Sequence, residues 1–294
     1  MAWWQFRLAT DAQQLDDLEA AFFVCGALSI SLIDAEDQPI LEPAPGEMPI
    51  WDRVIMVGLF SGDESESALA KALSIALERP IEASQLERLE DQAWERAWMA
   101  DFKPMHFGGE LWVVPSYAEP PQPNATNLRL DPGLAFGSGT HNTTALCLRW
   151  LANADLNGKT VLDFGCGSGV LAVAALLLGA DRAIGTDIDP QAITASNDNA
   201  LTNGVAERLE LYLPEDMPAT QAEVVLANIL FEPLRELRDV LLSYAAPGAH
   251  VVLSGVLDSQ ADDLKAHYSP VLDDIELVID GDWCMLSGFR HSPL

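Results

Sequence analysis

A strand-like run that ends in three alternate glycines decides the fold of this chain: Val161-Leu162-Asp163-Phe164-Gly165-Cys166-Gly167-Ser168-Gly169. The apolar residues at its start are typical of a buried strand, and a helical pattern follows directly after Gly169. Glycines at a strand-to-helix turn let the backbone bend sharply and approach a ligand without side-chain obstruction. The segment therefore predicts a ligand-binding turn at the carboxyl end of a strand.

The spacing of these glycines indicates the kind of ligand. From Gly165 it is GxGxG, whereas a dinucleotide fingerprint is GxGxxG, and no Gly-Lys-Ser/Thr follows to form a phosphate-binding P-loop. Asp163 places a carboxylate just before the turn, which would repel phosphates but tolerate a cationic sulfonium. We therefore expect S-adenosylmethionine as the cofactor, bound at Asp163, Gly165 and Gly167.

Two further polar residues follow strands of the same pattern. Asp187 ends the next predicted strand, 22 residues beyond Gly165, near the spacing at which a carboxylate binds ribose hydroxyls. Asn228 follows the strand at 224–227 and offers one acceptor and two donors to a cofactor or an amine. Asparagine is also common in turns, and Asp189 before Pro190 is typical of a helix cap.

A second glycine-rich segment, residues 130–144, precedes a predicted helix whose first turn offers free backbone N–H groups. Such a segment can fold over a ligand, or Thr143 or Thr144 can simply cap the helix, and both interpretations stay open. His141 is expected to hydrogen-bond within its own loop instead of acting as a base.

The periodicity along the chain predicts an α/β protein of two domains. Residues 1–90 read βαββαβ, a ferredoxin-like α+β domain, and residues 91–126 form a linker with a helix that carries Trp94 and Trp98. Residues 127–294 alternate strands and helices, which predicts a doubly wound Rossmann-like sheet. A terminal antiparallel hairpin around Asp280-Gly281 matches the pattern of class I methyltransferases.

The amino-acid composition limits the expected cellular location and the expected classes of binding partner. The chain has 45 acidic and 16 basic residues, a net charge of −29, which disfavours binding to nucleic-acid phosphates. A basic protein partner and simple solubility in a salty cytoplasm both fit this charge. No apolar run reaches the length of a membrane span and no signal peptide is evident, so a cytoplasmic location is expected. The four cysteines are too dispersed to predict a metal site.

The chain resembles the ribosomal protein L11 methyltransferase (PrmA) family over nearly its whole length. The resemblance rests on the glycine turn and on these segments: Leu130-Asp131-Pro132-Gly133-Leu134-Ala135-Phe136-Gly137, Asp187-Ile188-Asp189-Pro190, Ala227-Asn228-Ile229-Leu230, Gln92-Ala93-Trp94-Glu95-Arg96-Ala97-Trp98 and Pro45-Gly46-Glu47. The glycine turn alone indicates only the superfamily, whereas the first and fourth of these segments together are far more specific.

This resemblance implies methylation of the N-terminal α-amine and lysine ε-amines of L11, a protein of the ribosomal stalk base. The N-terminal domain would hold the substrate. Apart from the resemblance, the protein is expected to be a monomer. Carried over by motif, the cofactor contacts are Thr144, Gly165, Asp187 and Asn228, and Asn228 is also the candidate catalytic residue.

Ser138 and Asn142 depart from the family pattern, which has threonine and proline there, so the loop is expected to be less stiff. Two alternatives remain at this stage. One is a methyltransferase for another protein or a small-molecule amine. The other is a non-catalytic S-adenosylmethionine-binding assembly factor.

Overall fold

The computed structural model describes residues 2–36, 49–90, 102–131 and 141–292. The chain divides into two compact units, Met1–Ala100 and Asp101–Leu294. The predicted linker helix with Trp94 and Trp98, the residues 45–47 and Ser138 lie outside the described residues. The boundaries 1–90, 91–126 and 127–294 therefore stay a prediction.

The first unit has the element order βαββαβ. Its elements are β1 (Ala2–Asp11), α1 (Leu15–Val24), β2 (Ala27–Asp34), β3 (Arg53–Ser61), α2 (Glu66–Ala76) and β4 (Leu86–Glu90). The four strands form an antiparallel sheet in the order β2-β3-β1-β4. A 3₁₀ turn at Ala12–Gln14, capped by the Asp11 side chain, precedes helix α1.

Alternation along β1 builds the core of this unit. Trp4, Phe6 and Leu8 point to the same side of the sheet and are buried, as the period of two for a strand requires. They form one apolar cluster with Phe22 of α1 and Leu73 of α2. The two helices therefore cover one face of the sheet.

The second unit opens with a small sheet that the sequence analysis did not predict. It consists of β5 (Met105–Gly108), β6 (Leu111–Val114) and β7 (Thr126–Arg129). Strand β6 pairs antiparallel with β5 and parallel with β7. Strands β5 and β6 thus lie within the segment assigned to the linker, and that segment belongs to the second unit from Asp101 onward.

The large sheet of the second unit is built from alternating strands and helices. Its elements are α3 (Asn142–Leu151), β8 (Thr160–Phe164), α4 (Val170–Leu177), β9 (Arg182–Thr186), α5 (Pro190–Thr202), β10 (Leu209–Tyr212), β11 (Ala222–Asn228), α6 (Phe231–Glu236), α7 (Arg238–Tyr244), β12 (Ala245–Leu257), α8 (Ala261–Tyr268), β13 (Leu272–Asp280) and β14 (Trp283–Arg290). Helices α6 and α7 are separated by a break at Leu237, and β12 begins directly after α7 at Ala245.

Strand order confirms the predicted doubly wound sheet with a terminal hairpin. The order is β10-β9-β8-β11-β12-β14-β13, in which the first five strands are parallel and β14 runs antiparallel to both of its neighbours. From β8 the chain proceeds to β9 and β10 on one side, and then returns to β11 and β12 on the other. The carboxyl ends of β8 and β11 therefore flank a topological switch point, where ligands collect in such sheets.

Both faces of this sheet are covered by apolar residues, as a parallel sheet requires. Val161 and Leu226 belong to a buried cluster with residues of α3 and α4. Their neighbours in the same strands, Leu162 in β8 and Val225 in β11, belong instead to a second buried cluster with residues of α6, α7 and α8. In the described ranges, no helix is both long and apolar enough to cross a membrane.

Candidate active site

The turn after β8 has the backbone that only glycine adopts readily. Gly165, Gly167 and Gly169 have φ angles of 75°, 54° and 73°. A Cβ atom on Gly165 would overlap the Ile229 side chain, and one on Gly169 would lie 2.7 Å from Ser196 Oγ. Both conformation and space therefore exclude larger residues, and the predicted tight turn is present.

Asp187 holds this turn from the end of the neighbouring strand β9. One carboxylate oxygen accepts a hydrogen bond from the Gly167 N–H at 2.9 Å, and the other accepts one from the Asp189 N–H at 3.0 Å. A carboxylate oxygen has two lone pairs, so each retains capacity for another donor. Asp189 accepts from the Gln191 N–H at 2.8 Å and caps α5, which confirms its interpretation as a cap.

Asp163 faces inward. Its side chain is 1% exposed and accepts a hydrogen bond from the Ala172 N–H in the first turn of α4 at 3.1 Å. Burial raises the pKa of this carboxyl to about 7, and the charge of Asp187 adds to the increase. The sequence analysis predicted that this carboxylate contacts the cofactor. Its described hydrogen bond is instead with the start of α4. The sequence shows the charge but not the face of the strand on which it lies.

The start of α3 shows what His141 does. Its Nδ1 accepts from the Thr143 N–H at 3.4 Å and lies 2.8 Å from Thr143 Oγ1, so it caps the helix. The imidazole ring lies edge-on to Trp283, with 4.7 Å between the centroids, and partial burial lowers its pKa. The expectation that His141 bonds its own loop is confirmed.

Asn228 and Thr144 meet across the switch point. Asn228 Nδ2 donates to Thr144 Oγ1 at 3.2 Å, and Thr144 is 1% exposed. Asn228 Oδ1 is buried and has no hydrogen-bond partner among the described residues. Buried acceptors without a partner are rare and costly, so an unpaired oxygen at this edge points to a group the protein binds from solution.

Neighbouring contacts fix the position of α3. Ser254 of β12, which pairs with Asn228 in register, donates to the carbonyl oxygens of Thr143 at 3.3 Å and Cys284 at 3.1 Å. Asn142, one of the departures from the family pattern, donates to the carbonyl oxygen of Asp280 at 3.4 Å. The first residue of α3 is therefore held by the terminal hairpin.

The sheet thus brings most of the predicted site residues to one edge. Gly165 and Gly167 follow β8, Asp187 follows β9, Asn228 ends β11, and Thr144 reaches the same edge from α3. The sequence analysis did not select Ser254, Ser196 or Asn199; a signal was available only for Ser254, a serine inside the apolar strand β12. In the ranges that the structure covers, no cluster of His, Cys, Asp and Glu is arranged to hold a metal ion.

Similarity to known proteins extends over almost the entire chain. A family model described as Ribosomal protein L11 methyltransferase (PrmA) matches residues 2–291. The chain belongs to this family. Membership confirms the resemblance drawn from the motifs, and with it S-adenosylmethionine as the methyl donor.

Relatives of the family are similar at full length. The chain is 49% identical to the ribosomal protein L11 methyltransferase of Pseudomonas aeruginosa (strain LESB58) over 293 residues, 99% of this chain and 100% of that protein. It is 48% identical to the corresponding protein of Photobacterium profundum, with the same coverage. A crystal structure of a ribosomal protein L11 methylase from Lactobacillus delbrueckii subsp. bulgaricus aligns with a TM-score of 0.59 at 31% identity, covering 65% of this chain and 100% of that one.

Proposed function

We propose that this methyltransferase transfers methyl groups from S-adenosylmethionine to the N-terminal α-amine and to lysine ε-amines of ribosomal protein L11. The names of its relatives support the protein substrate. The observation that carries the amine chemistry is Asn228 Oδ1, a buried hydrogen-bond acceptor with no partner among the described residues at the switch point. An amine N–H is the donor such an oxygen needs.

The residues at this edge fit the cofactor. Gly165 and Gly167 leave space for a ligand against the backbone, and the remaining lone pairs of Asp187 suit the two hydroxyls of a ribose. Thr144 and Asn228 close the other side of the switch point. Asp163 supports the site indirectly, because its carboxylate accepts a hydrogen bond from the first turn of α4.

Bound S-adenosylmethionine supplies an electrophilic methyl group on a sulfonium. The attacking amine must be neutral, whereas a lysine amine has a pKa near 10.4 and an α-amine a pKa near 8. A partly desolvated edge favours the neutral form. Asn228 Oδ1 then accepts one amine N–H and turns the nitrogen lone pair toward the methyl group, while Thr144 holds the Asn228 carboxamide in place. Formation of the N–C bond would break the methyl–sulfur bond and release S-adenosylhomocysteine, and the surplus proton on the nitrogen would then pass to water.

The two units have separate tasks in this proposal. Residues 1–90 recognise the substrate, residues 127–294 bind the cofactor and carry out the transfer, and the protein works as a monomer in the cytoplasm. Its net charge of −29 attracts a basic ribosomal protein and disfavours direct nucleic-acid binding. Association that does not weaken as salt rises would contradict the role given to charge.

Mass spectrometry tests the proposal directly. Purified L11 is incubated with the enzyme and S-adenosylmethionine, and peptide mapping locates each added methyl group. We expect methyl increments on the N-terminal amine and on lysines, and a parallel reaction with N-terminally acetylated L11 should lose only the first. Incorporation of tritiated methyl into small molecules but not into L11 would favour a metabolite methyltransferase. Cofactor binding without any transfer would favour a non-catalytic assembly factor.

A further inference from the structure

A groove of about 1360 Å³ lies beside helix α3 in the second unit. One wall is the later part of α3, with Leu146, Arg149 and Trp150, and the floor is formed by β14 and the edge strand β13. Met285 of this floor belongs to the first apolar cluster of the sheet, whereas α8 belongs to the second and covers the opposite face. We call this feature the hairpin groove.

The register of the hairpin shows which side chains of β13 face the hairpin groove. Met285 and Ser287 line it, and they pair with Val278 and Glu276 across the two strands. Paired residues of an antiparallel sheet place their side chains on the same face. Val278 is 42% exposed although it is apolar. This face of the hairpin is therefore open to a partner at Val278.

The part of the hairpin groove away from the hairpin turn is aromatic. The ring centroid of His250 lies 3.8 Å from that of Phe289 and 5.1 Å from that of Trp150. Partial burial and the charge of Lys159 lower the pKa of His250, against a smaller opposite effect of Glu276, so the imidazole is neutral at pH 7. Aromatic rings contact the apolar stems of lysine and arginine and attract their cationic heads. This part of the floor therefore suits a long basic side chain.

The rim of the hairpin groove is acidic. Asp155, Asp274 and Glu276 line it as exposed carboxylates, and none of them forms an ion pair in the part of the chain that the structure describes. Two cations also line the groove, but one of them, Arg149, is already paired with a carboxylate at 2.5 Å. The described lining therefore keeps three unpaired carboxylates against the other cation, Lys159, and its charge is complementary to a basic partner.

One end of the hairpin groove lies next to the methyl-transfer edge. Asp280 lines the groove, and its carbonyl oxygen accepts a hydrogen bond from Asn142, the first residue of α3. Leu146 also lines it and lies two positions after Thr144, whose hydroxyl accepts from Asn228. A chain segment in the groove can therefore continue to the switch point along the second unit.

We propose that the hairpin groove binds an extended segment of L11 that carries lysine or arginine side chains, while another amine of the same protein reaches the methyl-transfer edge. The inference rests on the proposed function, because it takes a protein with several amines as the substrate. The carboxylates of the rim pair with the cationic heads, and the rings of Trp150 and Phe289 contact the apolar stems. The groove thus adds a second contact, on the catalytic unit, to substrate recognition by residues 1–90.

Charge also decides against the other classes of occupant. A nucleic acid would bring its phosphates against the three unpaired carboxylates of the rim. A second copy of this chain carries a net charge of −29 and would be repelled in the same way. A basic segment of the substrate gains from the same field.

The first experiment removes the acidic rim of β13 in the full chain. The double variant Asp274→Asn, Glu276→Gln keeps the size of both side chains, and asparagine tolerates the positive φ of 50° at residue 274. The control is Asp262→Asn, Asp263→Asn on α8, which changes the net charge equally on the opposite face of the hairpin. Steady-state kinetics with L11 and an unfolding temperature are measured for both variants.

We expect the groove variant to raise the KM for L11 by about threefold to tenfold, the loss of two partly exposed ion pairs. The KM for S-adenosylmethionine and the unfolding temperature should stay near the wild-type values, because both side chains are exposed. The α8 control should leave the KM for L11 near its original value. At high salt the wild type and the groove variant should converge.

The second experiment identifies the occupant. The photoreactive residue p-benzoylphenylalanine replaces Val278 in the groove or, as a control, the exposed Ala266 on α8. After irradiation with L11, we expect position 278 to cross-link to an L11 peptide that contains lysine or arginine, and position 266 not to do so.

Three results would overturn the inference. They are equal KM values for L11 in the groove variant and the α8 control, an equal rise of the KM values for L11 and the cofactor, and cross-links from position 278 only to a second copy of this chain. Failure of the wild type to methylate L11 at all would instead refute the proposed function, and the groove inference with it. The two failures are therefore distinguishable.

Discussion

The two sides of the switch point differ in how their polar groups are satisfied. On the β8 side, the Gly167 N–H, the Gly167 carbonyl and the Ser168 carbonyl all have side-chain partners within the protein. On the β11 side, Asn228 has one hydrogen bond, to Thr144, and its Oδ1 has none among the described residues. These three backbone groups of the glycine turn are partnered within the protein, whereas Asn228 Oδ1 has no partner in the part of the chain that the structure describes.

This difference suggests separate roles for the two sides, one in the geometry of the site and the other in the methyl transfer. Leaving a buried acceptor unpaired costs about 1–3 kcal/mol, so the fold gains nothing from Asn228 Oδ1 unless a bound molecule uses it. The hydrogen-bonded glycine turn gives the site its geometry. Changes on the β8 side should therefore lower cofactor binding, whereas a change at Asn228 should lower turnover with little loss of stability. The predictions below test this distinction, from the largest expected effect to the smallest.

Gly165→Ala should have the largest effect. The added Cβ needs a strained φ of 75° and pushes against Ile229, next to Asn228, so both sides of the site move. We expect methylation of L11 to fall by about a hundredfold or more, with most of the loss in cofactor affinity. Gly158→Ala is the control, because Gly158 also has a positive φ, 72°, but no atom lies within 4 Å of its Cβ position. Similar losses in both variants would show that backbone strain alone is responsible.

Asn228→Ala should separate turnover from stability. We expect kcat to fall by about tenfold to fiftyfold, because the attacking nitrogen loses its orienting acceptor. The unfolding temperature should change little, because the removal of a buried oxygen without a described partner offsets the loss of the hydrogen bond to Thr144. Thr144→Ser keeps the hydroxyl that holds the Asn228 carboxamide and should retain most activity, whereas Thr144→Val should not. An Asn228→Ala enzyme with normal methylation would contradict the mechanism.

Asp163→Asn should change how stability depends on pH. In the folded state the carboxyl has a pKa of about 7, against an ordinary value of 3.8, so between these values the folded chain keeps a proton that the unfolded chain has released. Raising the pH through this range therefore destabilises the wild type, by at most about 1.4 kcal/mol per pH unit.

Asparagine keeps the acceptor for the Ala172 N–H but does not titrate. The stability of Asp163→Asn relative to the wild type should thus increase from about pH 4 to about pH 7, as measured by urea unfolding at several pH values. A difference that stays constant over this range would refute the raised pKa.

Asp280→Asn should have the smallest effect. Its carboxylate lies 2.5 Å from the Arg149 guanidinium, but the two side chains are 38% and 50% exposed. Such pairs contribute about 0–1 kcal/mol, and the bond from Asn142 to the Asp280 carbonyl remains in the variant. We expect a lowering of the unfolding temperature by a few degrees at most, and less in high salt. A larger loss would show that the hairpin holds α3 through this ion pair.

Much of the catalytic unit could be predicted from periodicity and glycine spacing. The strand-to-helix turn at Gly165, the strand end at Asn228 and the terminal hairpin all follow from local patterns, and the structure has each of them. What periodicity does not give is the direction of an individual side chain. Asp163 and Asp187 both lie at strand ends of the same edge, yet one is buried under α4 and the other contacts the glycine turn.

Short elements also escaped prediction. Strands β5, β6 and β7 have four residues each, too few for an alternating pattern to stand out from a loop. The break at Leu237 and the start of β12 at Ala245 depend on packing against the sheet. Ser196 and Asn203 were not selected, because their importance lies in contacts with Gly167 and Arg129, 29 and 74 positions away.

Strand β14 has a consequence for the order in which the protein assembles. It follows β12 and β13 in the sequence, yet it lies between them in the sheet and pairs with both. As the chain leaves the ribosome, β13 cannot join the sheet until residue 290 has emerged. The hairpin turn also holds the first residue of α3, which was synthesised far earlier. The pairing of β13 with the large sheet and the contact of α3 with the hairpin are therefore both completed only after β14 has been made.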